Sequence, residues 1–139
     1  MAERAGNGIG RQLRVVIADD SVVIRDRLRA LLAEVEPIEV VGEAGDAHET
    51  IAALEHEGVD VVILDLFMPG GGGLRVLERV RNMEDQPVVI VHTNFPEPEY
   101  LKACRRLGAE HFLDKSDDPA TLTNLLTTLA GSIGHADTP

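Results

Sequence analysis

The run Val61-Val62-Ile63-Leu64, followed at once by Asp65, constrains the fold more than any other stretch of this sequence. An unbroken run of β-branched and aliphatic residues is typical of a central parallel strand that is covered on both faces. Met68-Pro69 and the four glycines at 70–73 end this strand immediately. Because an open parallel sheet binds its ligands outside the carboxyl ends of the strands, Asp65 should lie where chemistry takes place. The alternative is an acidic residue that only caps a loop.

Four more predicted strands alternate with helical segments along the chain. The strands are Leu13–Ala18, Ile38–Ala44, Pro87–His92 and Glu110–Leu113. Capping residues or apolar residues at helical spacing predict helices after Ser21, after Asp46, from Leu74, around Tyr100 and after Asp118. This alternation predicts an α/β domain, in which a five-stranded parallel sheet carries helices on both faces through right-handed crossovers. The alternation alone does not determine the order of the strands.

The length of 139 residues, 44% of them hydrophobic, suits one compact domain and leaves no room for a second. We expect this domain to occupy residues 13–130. Residues 1–12 are polar and lack periodicity, and residues 131–139 follow the last apolar helix pattern, so both segments are predicted to be flexible tails.

Charge and cysteine content exclude several classes of function. A formal net charge of −11 argues against unaided binding to nucleic acid or to an anionic membrane surface. The single cysteine, Cys104, excludes an internal disulfide framework and is expected to be a packing residue. With no long apolar span or signal peptide in the sequence, we expect a cytoplasmic protein.

Polar residues follow four of the predicted strands at the point where each strand ends. Asp19 and Asp20 follow the first strand and Asp65 the third, while Thr93 and Lys115 follow the fourth and fifth. Three crowded carboxylates need either shifted protonation or a divalent cation, and oxygen ligands without histidine or cysteine favour Mg²⁺. A lysine and a threonine beside them suit the oxygens of a phosphoryl group, so the implied reaction is attack by Asp65 on phosphorus.

Other kinds of chemistry find little support in the sequence. His48-Glu49-Thr50-Ile51-Ala52 lacks the second histidine of a zinc-binding helix, and the glycines at 70–73 lack the Lys-Ser/Thr ending of a phosphate-binding loop. The five histidines are scattered, and we interpret them as structural or solvated.

These residues resemble the receiver domain of two-component response regulators. The motifs that carry the resemblance are Asp19-Asp20, Asp65-Leu66-Phe67-Met68-Pro69 with Gly73 beyond it, Thr93 and Lys115. They stand in the family's order at close to its spacing, and the resemblance spans residues 13–130. It implies a flavodoxin-like (βα)5 fold with strand order 2-1-3-4-5.

The resemblance also implies a role for each site residue. Asp65 would be the phosphoacceptor, and Asp19, Asp20 and Asp65 would bind Mg²⁺ together with the backbone carbonyl of Phe67. Thr93 and Lys115 would hold the phosphoryl oxygens. Phe112 matches the aromatic switch position, whose inward rotation accompanies movement of Thr93 toward the phosphate. The output would be a changed surface on the fourth helix, fifth strand and fifth helix.

Four positions around the site distinguish this chain within the resemblance. Ser116 stands where the family usually has proline after the lysine. Asn94 stands where a small residue is common, and its larger side chain would narrow the access of a phosphoryl group to the site. Phe67 and Phe95 match the two positions that flank the route of a hydrolytic water. Two phenyl rings offer this water no hydrogen bond, so the phosphorylated form should be long-lived.

The leading hypothesis is a stand-alone receiver that accepts phosphate from a sensor histidine kinase or a histidine phosphotransfer protein and then binds a downstream protein. It would catalyse only its own phosphorylation and slow dephosphorylation, as a monomer or a phosphorylation-dependent dimer. The alternative is the N-terminal receiver fragment of a helix-turn-helix transcriptional regulator. Residues 40–46 resemble the receivers that are attached to helix-turn-helix domains. A phosphatase that forms an aspartyl-phosphate is a third possibility, but Phe67 occupies the second position of the Asp-x-Asp pattern expected there.

Overall fold

The computed structural model describes residues 12–56, 58–94 and 97–136. Five parallel strands form one sheet in the order β2-β1-β3-β4-β5. The strands are β1 Leu13–Ala18, β2 Ile38–Ala44, β3 Val61–Leu64, β4 Val88–Thr93 and β5 His111–Asp114. The predicted parallel sheet and its 2-1-3-4-5 order are therefore confirmed.

A helix follows each strand. The helices are α1 Val22–Ala33, α2 Ala47–Leu54, α3 Gly72–Arg81, α4 Pro98–Arg106 and α5 Pro119–Ala136. At the start of α1 the hydroxyl of Ser21 accepts a hydrogen bond from the Ile24 amide at 3.2 Å. At the start of α2 the Asp46 carboxylate accepts from the Glu49 amide at 2.7 Å, as the capping pattern predicts.

Two hydrophobic clusters, one on each face of the sheet, form the core. Val62 and Leu64 of β3 belong to one cluster, and Val61 and Ile63 belong to the other. All four side chains are at most 1% exposed. A central strand between two helical layers has no polar face, and this explains the unbroken apolar run. Cys104 is buried in the same core, where burial raises the pKa of its thiol to about 11, as expected of a packing residue.

The end of the chain differs from the sequence prediction. Helix α5 continues to Ala136, so the prediction of a tail beginning at residue 131 was wrong for residues 131–136. A glycine ends a helix when it adopts positive φ, as Gly108 does after α4 with φ of 102°. Gly131 is not among the described glycines with positive φ, and the helix passes through it. The predicted N-terminal tail lies outside the described residues, apart from Gln12.

Across the described ranges, no helix is both long and apolar enough to cross a membrane.

Candidate functional site

The carboxyl edge of the sheet brings the predicted site residues together. In the parallel register Ala18 pairs with Leu64, and Leu64 pairs with Val91. Asp19 and Asp65 directly follow two of these paired residues, so they must lie side by side. Thr93 ends β4 opposite Asp114 of β5, which brings Lys115 to the same edge.

The Asp65 carboxylate lies at the centre of this edge and is only 4% exposed. Its Oδ1 accepts hydrogen bonds from the Thr93 hydroxyl at 3.1 Å and from the Phe67 amide at 3.2 Å. Its Oδ2 accepts from Lys115 Nζ, also at 3.2 Å. Both oxygens are thus oriented by donors at the ends of three strands: Phe67 follows β3, Thr93 ends β4 and Lys115 follows β5.

Asp19 lies beside Asp65 and shares the same lysine. Lys115 Nζ is 2.6 Å from Asp19 Oδ2, and the Asp19 side chain is 2% exposed. The other oxygen, Oδ1, accepts from the Ser21 amide at 2.9 Å. Burial alone would lower the pKa of Lys115, but its hydrogen bond to Asp19 and the charges of Asp65 and Asp19 outweigh burial and raise it. The lysine is therefore a firmly charged bridge between two buried carboxylates.

A third carboxylate, that of Asp20, completes a cluster suited to a metal ion. One oxygen each of Asp19, Asp20 and Asp65 lies within 4.8 Å of the others, and Asp20 is exposed while the other two are buried. Carboxylate oxygens alone suit a hard cation such as Mg²⁺, which retains several waters and needs few protein ligands. The exposed position of Asp20 leaves a side of the cluster open to those waters.

In the turn after β5, Ser116 stands at the position where the resemblance implies a proline. The Asp114 carboxylate accepts from the Ser116 amide at 2.8 Å and from its hydroxyl at 2.7 Å. The Lys115 amide donates to the Thr93 carbonyl at 2.9 Å. In the described part of the chain the only cis peptide is Glu36–Pro37, so the Lys115–Ser116 bond is trans. Ser116 makes two hydrogen bonds that proline could not donate.

The sequence matches a known protein family over most of its length. The family described as the response regulator receiver domain matches residues 15–127. The chain belongs to this family.

Individual relatives agree with that assignment. The receiver domain is 32% identical over 110 residues to the uncharacterized transcriptional regulatory protein YhcZ of Bacillus subtilis (strain 168), a match of 79% of this chain and 51% of that protein. It is 35% identical over 118 residues to protein-glutamate methylesterase/protein-glutamine glutaminase 5 of Anaeromyxobacter dehalogenans (strain 2CP-C), a match of 76% of this chain and 33% of that protein. The chain thus spans about half of one curated relative and a third of the other.

Solved structures show the same fold. The signal receiver domain of the putative response regulator NarL from Mycobacterium tuberculosis superposes with a TM-score of 0.81 at 28% identity, over 87% of this chain and 98% of that chain. The RcsB response regulator of Salmonella typhimurium gives a TM-score of 0.78 at 30% identity, over 86% of this chain and 62% of that chain.

Three other predicted residues of the receiver domain belong to the described part of the chain. Phe67 is 51% exposed, and Asn94 is also exposed. Phe112 is partly buried on β5, where the Arg105 guanidinium carbon lies 4.7 Å from the centre of its ring. Phe95, the second predicted aromatic residue on the phosphoryl route, lies outside the described residues.

Three residues near the site were missed by reasoning from the sequence. Tyr100 of α4 contacts Phe67 across the sheet edge, with ring centroids 5.2 Å apart. Arg25 of α1 donates from Nη1 to the Asp19 backbone carbonyl at 2.5 Å. His92 precedes Thr93, and burial, followed by the charge of Lys115, lowers the pKa of its imidazole. Only His92, next to a site residue in the chain, could have been found from the sequence.

Proposed function

We propose that Asp65 is the phosphoacceptor of this receiver domain and that its phosphorylation requires Mg²⁺. The observation that carries the proposal is the convergence on one carboxylate. Asp65 is 4% exposed, accepts from Thr93, Phe67 and Lys115, and shares a cluster within 4.8 Å with Asp19 and Asp20. An acid that only capped a loop would need none of these partners.

The reaction is a transfer of a phosphoryl group to a carboxylate. A carboxylate oxygen of Asp65 forms a bond to phosphorus while the bond between phosphorus and the donor's imidazole nitrogen breaks, and the leaving imidazole keeps the electron pair and takes up a proton. Lys115 and Thr93 already bond the Asp65 oxygens, at 3.2 and 3.1 Å. They are therefore placed to donate to phosphoryl oxygens as charge develops there.

The three acids fit a divalent cation. Asp19, Asp20 and Asp65 would hold Mg²⁺ through carboxylate oxygens, and the Phe67 backbone carbonyl would supply a further ligand. Bound Mg²⁺ supplies positive charge that allows an anionic donor to approach these acids. Lys115 alone leaves the cluster with two uncompensated negative charges, since it neutralises one of three carboxylates.

Movement at two positions would carry the signal. Thr93 would follow the phosphoryl oxygens, and Phe112 would rotate inward, changing the surface formed by α4, β5 and α5. In this structure the Phe112 ring contacts the Arg105 guanidinium, and a rotation of the ring would change this contact. The start of the working unit at residue 13 is part of this proposal, and the unit would extend through α5 to Ala136.

The proposed partners follow from the chemistry of phosphorylation. The phosphoryl group would come from a sensor histidine kinase or a histidine phosphotransfer protein, and the switched surface would bind a downstream protein, with the domain a monomer or a phosphorylation-dependent dimer. The chain would catalyse only its own phosphorylation and dephosphorylation. We place it in the cytoplasm, where its free, buried Cys104 suits a reducing setting.

The experiment is incubation with Mg²⁺ and acetyl phosphate, followed by intact mass and peptide mapping. The parent should gain one phosphoryl group on Asp65, whereas Asp65→Asn and the chelated parent should gain none. Asp85→Asn is a matched control, because Asp85 is exposed in the loop before β4, at the opposite edge of the sheet. Normal phosphorylation of Asp65→Asn would refute the assignment.

The lifetime of the phosphorylated form is a further part of the proposal. The half-exposed Phe67 offers no hydrogen bond to an attacking water, and Phe95 matches the second flanking position by resemblance. Phosphate loss in Mg²⁺ should therefore be slower in the parent than in Phe67→Asn with Phe95→Glu. Equal decay, or faster decay of the parent, would contradict this reasoning.

A second candidate concerns the output. The transcriptional regulatory protein of Bacillus subtilis is matched over 51% of its length, and this favours a receiver that forms part of a DNA-binding regulator. With a net charge of −11, this segment would not itself bind nucleic acid. Continuation of the reading frame past Pro139 into a helix-turn-helix domain would establish this candidate, and a stop codon there would exclude it.

A further inference from the structure

Tyr100, in the first turn of α4, contacts both residues that follow Asp65. Its hydroxyl donates to the Leu66 carbonyl at 3.4 Å. Its ring lies 5.2 Å from the ring of Phe67 at an interplanar angle of 53°, a tilted arrangement that aromatic pairs favour. One side chain from α4 thus holds the backbone of one residue and the side chain of the next.

The Leu66 carbonyl accepts a second hydrogen bond, from the Gly73 amide at 2.9 Å. This approach depends on the glycines that begin α3. A Cβ on Gly72 would lie 2.6 Å from the Leu66 carbonyl oxygen and 3.5 Å from the Tyr100 hydroxyl. A Cβ on Gly73 would lie 3.0 Å from the Leu66 Cα. The turn after Asp65 is therefore clamped between α3 and α4, with Tyr100 as the side-chain half of the clamp.

We propose that Tyr100 is a positioning residue for the turn formed by Asp65, Leu66 and Phe67. Its hydroxyl holds the Leu66 peptide and its ring holds the Phe67 side chain, which restrains the backbone that carries the Phe67 carbonyl. The consequence for metal affinity rests on the proposed function, in which that carbonyl binds Mg²⁺. The consequence for the turn is independent of the proposed function, because the contacts of Tyr100 with the turn are present in the metal-free protein.

The first measurement is amide hydrogen exchange by NMR in metal-free protein, at the Gly73 and Phe67 amides. Both donate within the turn, to the Leu66 carbonyl and to Asp65 Oδ1, at 2.9 and 3.2 Å. Tyr100→Phe removes only a long hydrogen bond and should speed exchange about twofold. Tyr100→Leu removes the ring contact as well and should speed exchange about five- to tenfold, with amides of β1 unchanged.

The second measurement is the Kd for Mg²⁺, obtained by titration calorimetry. Tyr100→Leu should weaken Mg²⁺ binding about five- to tenfold and Tyr100→Phe about twofold. Lys102→Met is the matched control, because Lys102 is an exposed residue of the same helix, and it should leave both measurements at parent values.

Unchanged exchange at both amides in Tyr100→Leu would overturn the positioning role. Faster exchange with an unchanged Kd would overturn its consequence for the metal. A parent that binds no Mg²⁺ would refute the proposed metal site instead, and the exchange result would still decide the role of Tyr100.

Discussion

The acidic cluster of Asp19, Asp20 and Asp65 can be neutralised by Lys115 and by Mg²⁺. Replacement of Lys115 by methionine removes the first of these positive charges and leaves the second. In the metal-free protein, Lys115 is the cation that bridges Asp19 and Asp65, at 2.6 and 3.2 Å. Methionine keeps an apolar side chain of similar length but leaves two buried carboxylates without their partner. We expect Lys115→Met to destabilise the metal-free protein strongly and to respond to Mg²⁺ more than the parent does.

The size of the effect follows from burial. The side chains of Lys115, Asp19 and Asp65 are 12%, 2% and 5% exposed, so the pair is largely shielded from solvent. Removal of one partner of a buried ion pair costs roughly 3–5 kcal/mol. Because Lys115 keeps some contact with water, we expect about 3 kcal/mol, or a Tm lower by about 10 °C for a domain of this size. Mg²⁺ should recover much of this loss by binding the folded state.

The assay is thermal unfolding of the parent, Lys115→Met and the exposed control Lys102→Met, each with chelator and with saturating Mg²⁺. The pKa of Lys115 is raised, so its stabilisation is complete below 10.5, the pKa of an unperturbed lysine, and is lost as the pH rises from there through the raised pKa. The gap to the parent should therefore stay constant from pH 7 to about pH 9. A gap under about 1 kcal/mol, or one that Mg²⁺ does not narrow, would refute the reasoning.

Three other perturbations test separate features. Asp20→Asn should stabilise the metal-free protein by relieving carboxylate repulsion and should weaken Mg²⁺ binding, and an unchanged Kd by calorimetry would argue against a shared site. Arg105→Ala should lower the free energy of unfolding by about 0.5–1 kcal/mol, measured by urea unfolding, because it loses the contact with Phe112. If Arg105→Ala costs the same in a Phe112→Leu background as in the parent, the ring is not the partner of Arg105. The pKa of His92 is lowered in the folded protein, so the unfolded chain binds more protons than the folded one as the pH falls through 6.5. Acid should therefore destabilise the parent more than His92→Leu. Parallel stability curves for these two proteins between pH 7 and 5.5 would contradict that sign.

Hydrophobic pattern alone predicted the strands, because each records a local environment. Val61 to Leu64 are apolar without interruption because helices cover both faces of β3. A strand buried on both faces has such a continuous apolar run, which can be recognised in the sequence. The strand ends then placed Asp19, Asp65 and Thr93 at one edge without any knowledge of distances. Resemblance to the family, rather than pattern, supplied the strand order.

The end of α5 shows where local pattern was insufficient. Gly131 follows the last leucines and can either end a helix or continue it, depending on its backbone conformation. The apolar period carries no information about that choice. In the structure the helix runs on to Ala136, so the helix boundary, unlike the helix itself, had to be observed.

The sequence by itself determined which residues reach the carboxyl edge, since strand length and alternation of β and α are written in short stretches of chain. Only the tertiary structure decided which atoms meet there. The bonds of Asp65 to Thr93 and to Lys115 join residues 28 and 50 positions apart, and Tyr100 meets Leu66 across 34. Such contacts depend on how crossovers and helices pack over the whole sheet, whereas hydrophobic period reflects only the surroundings of neighbouring residues.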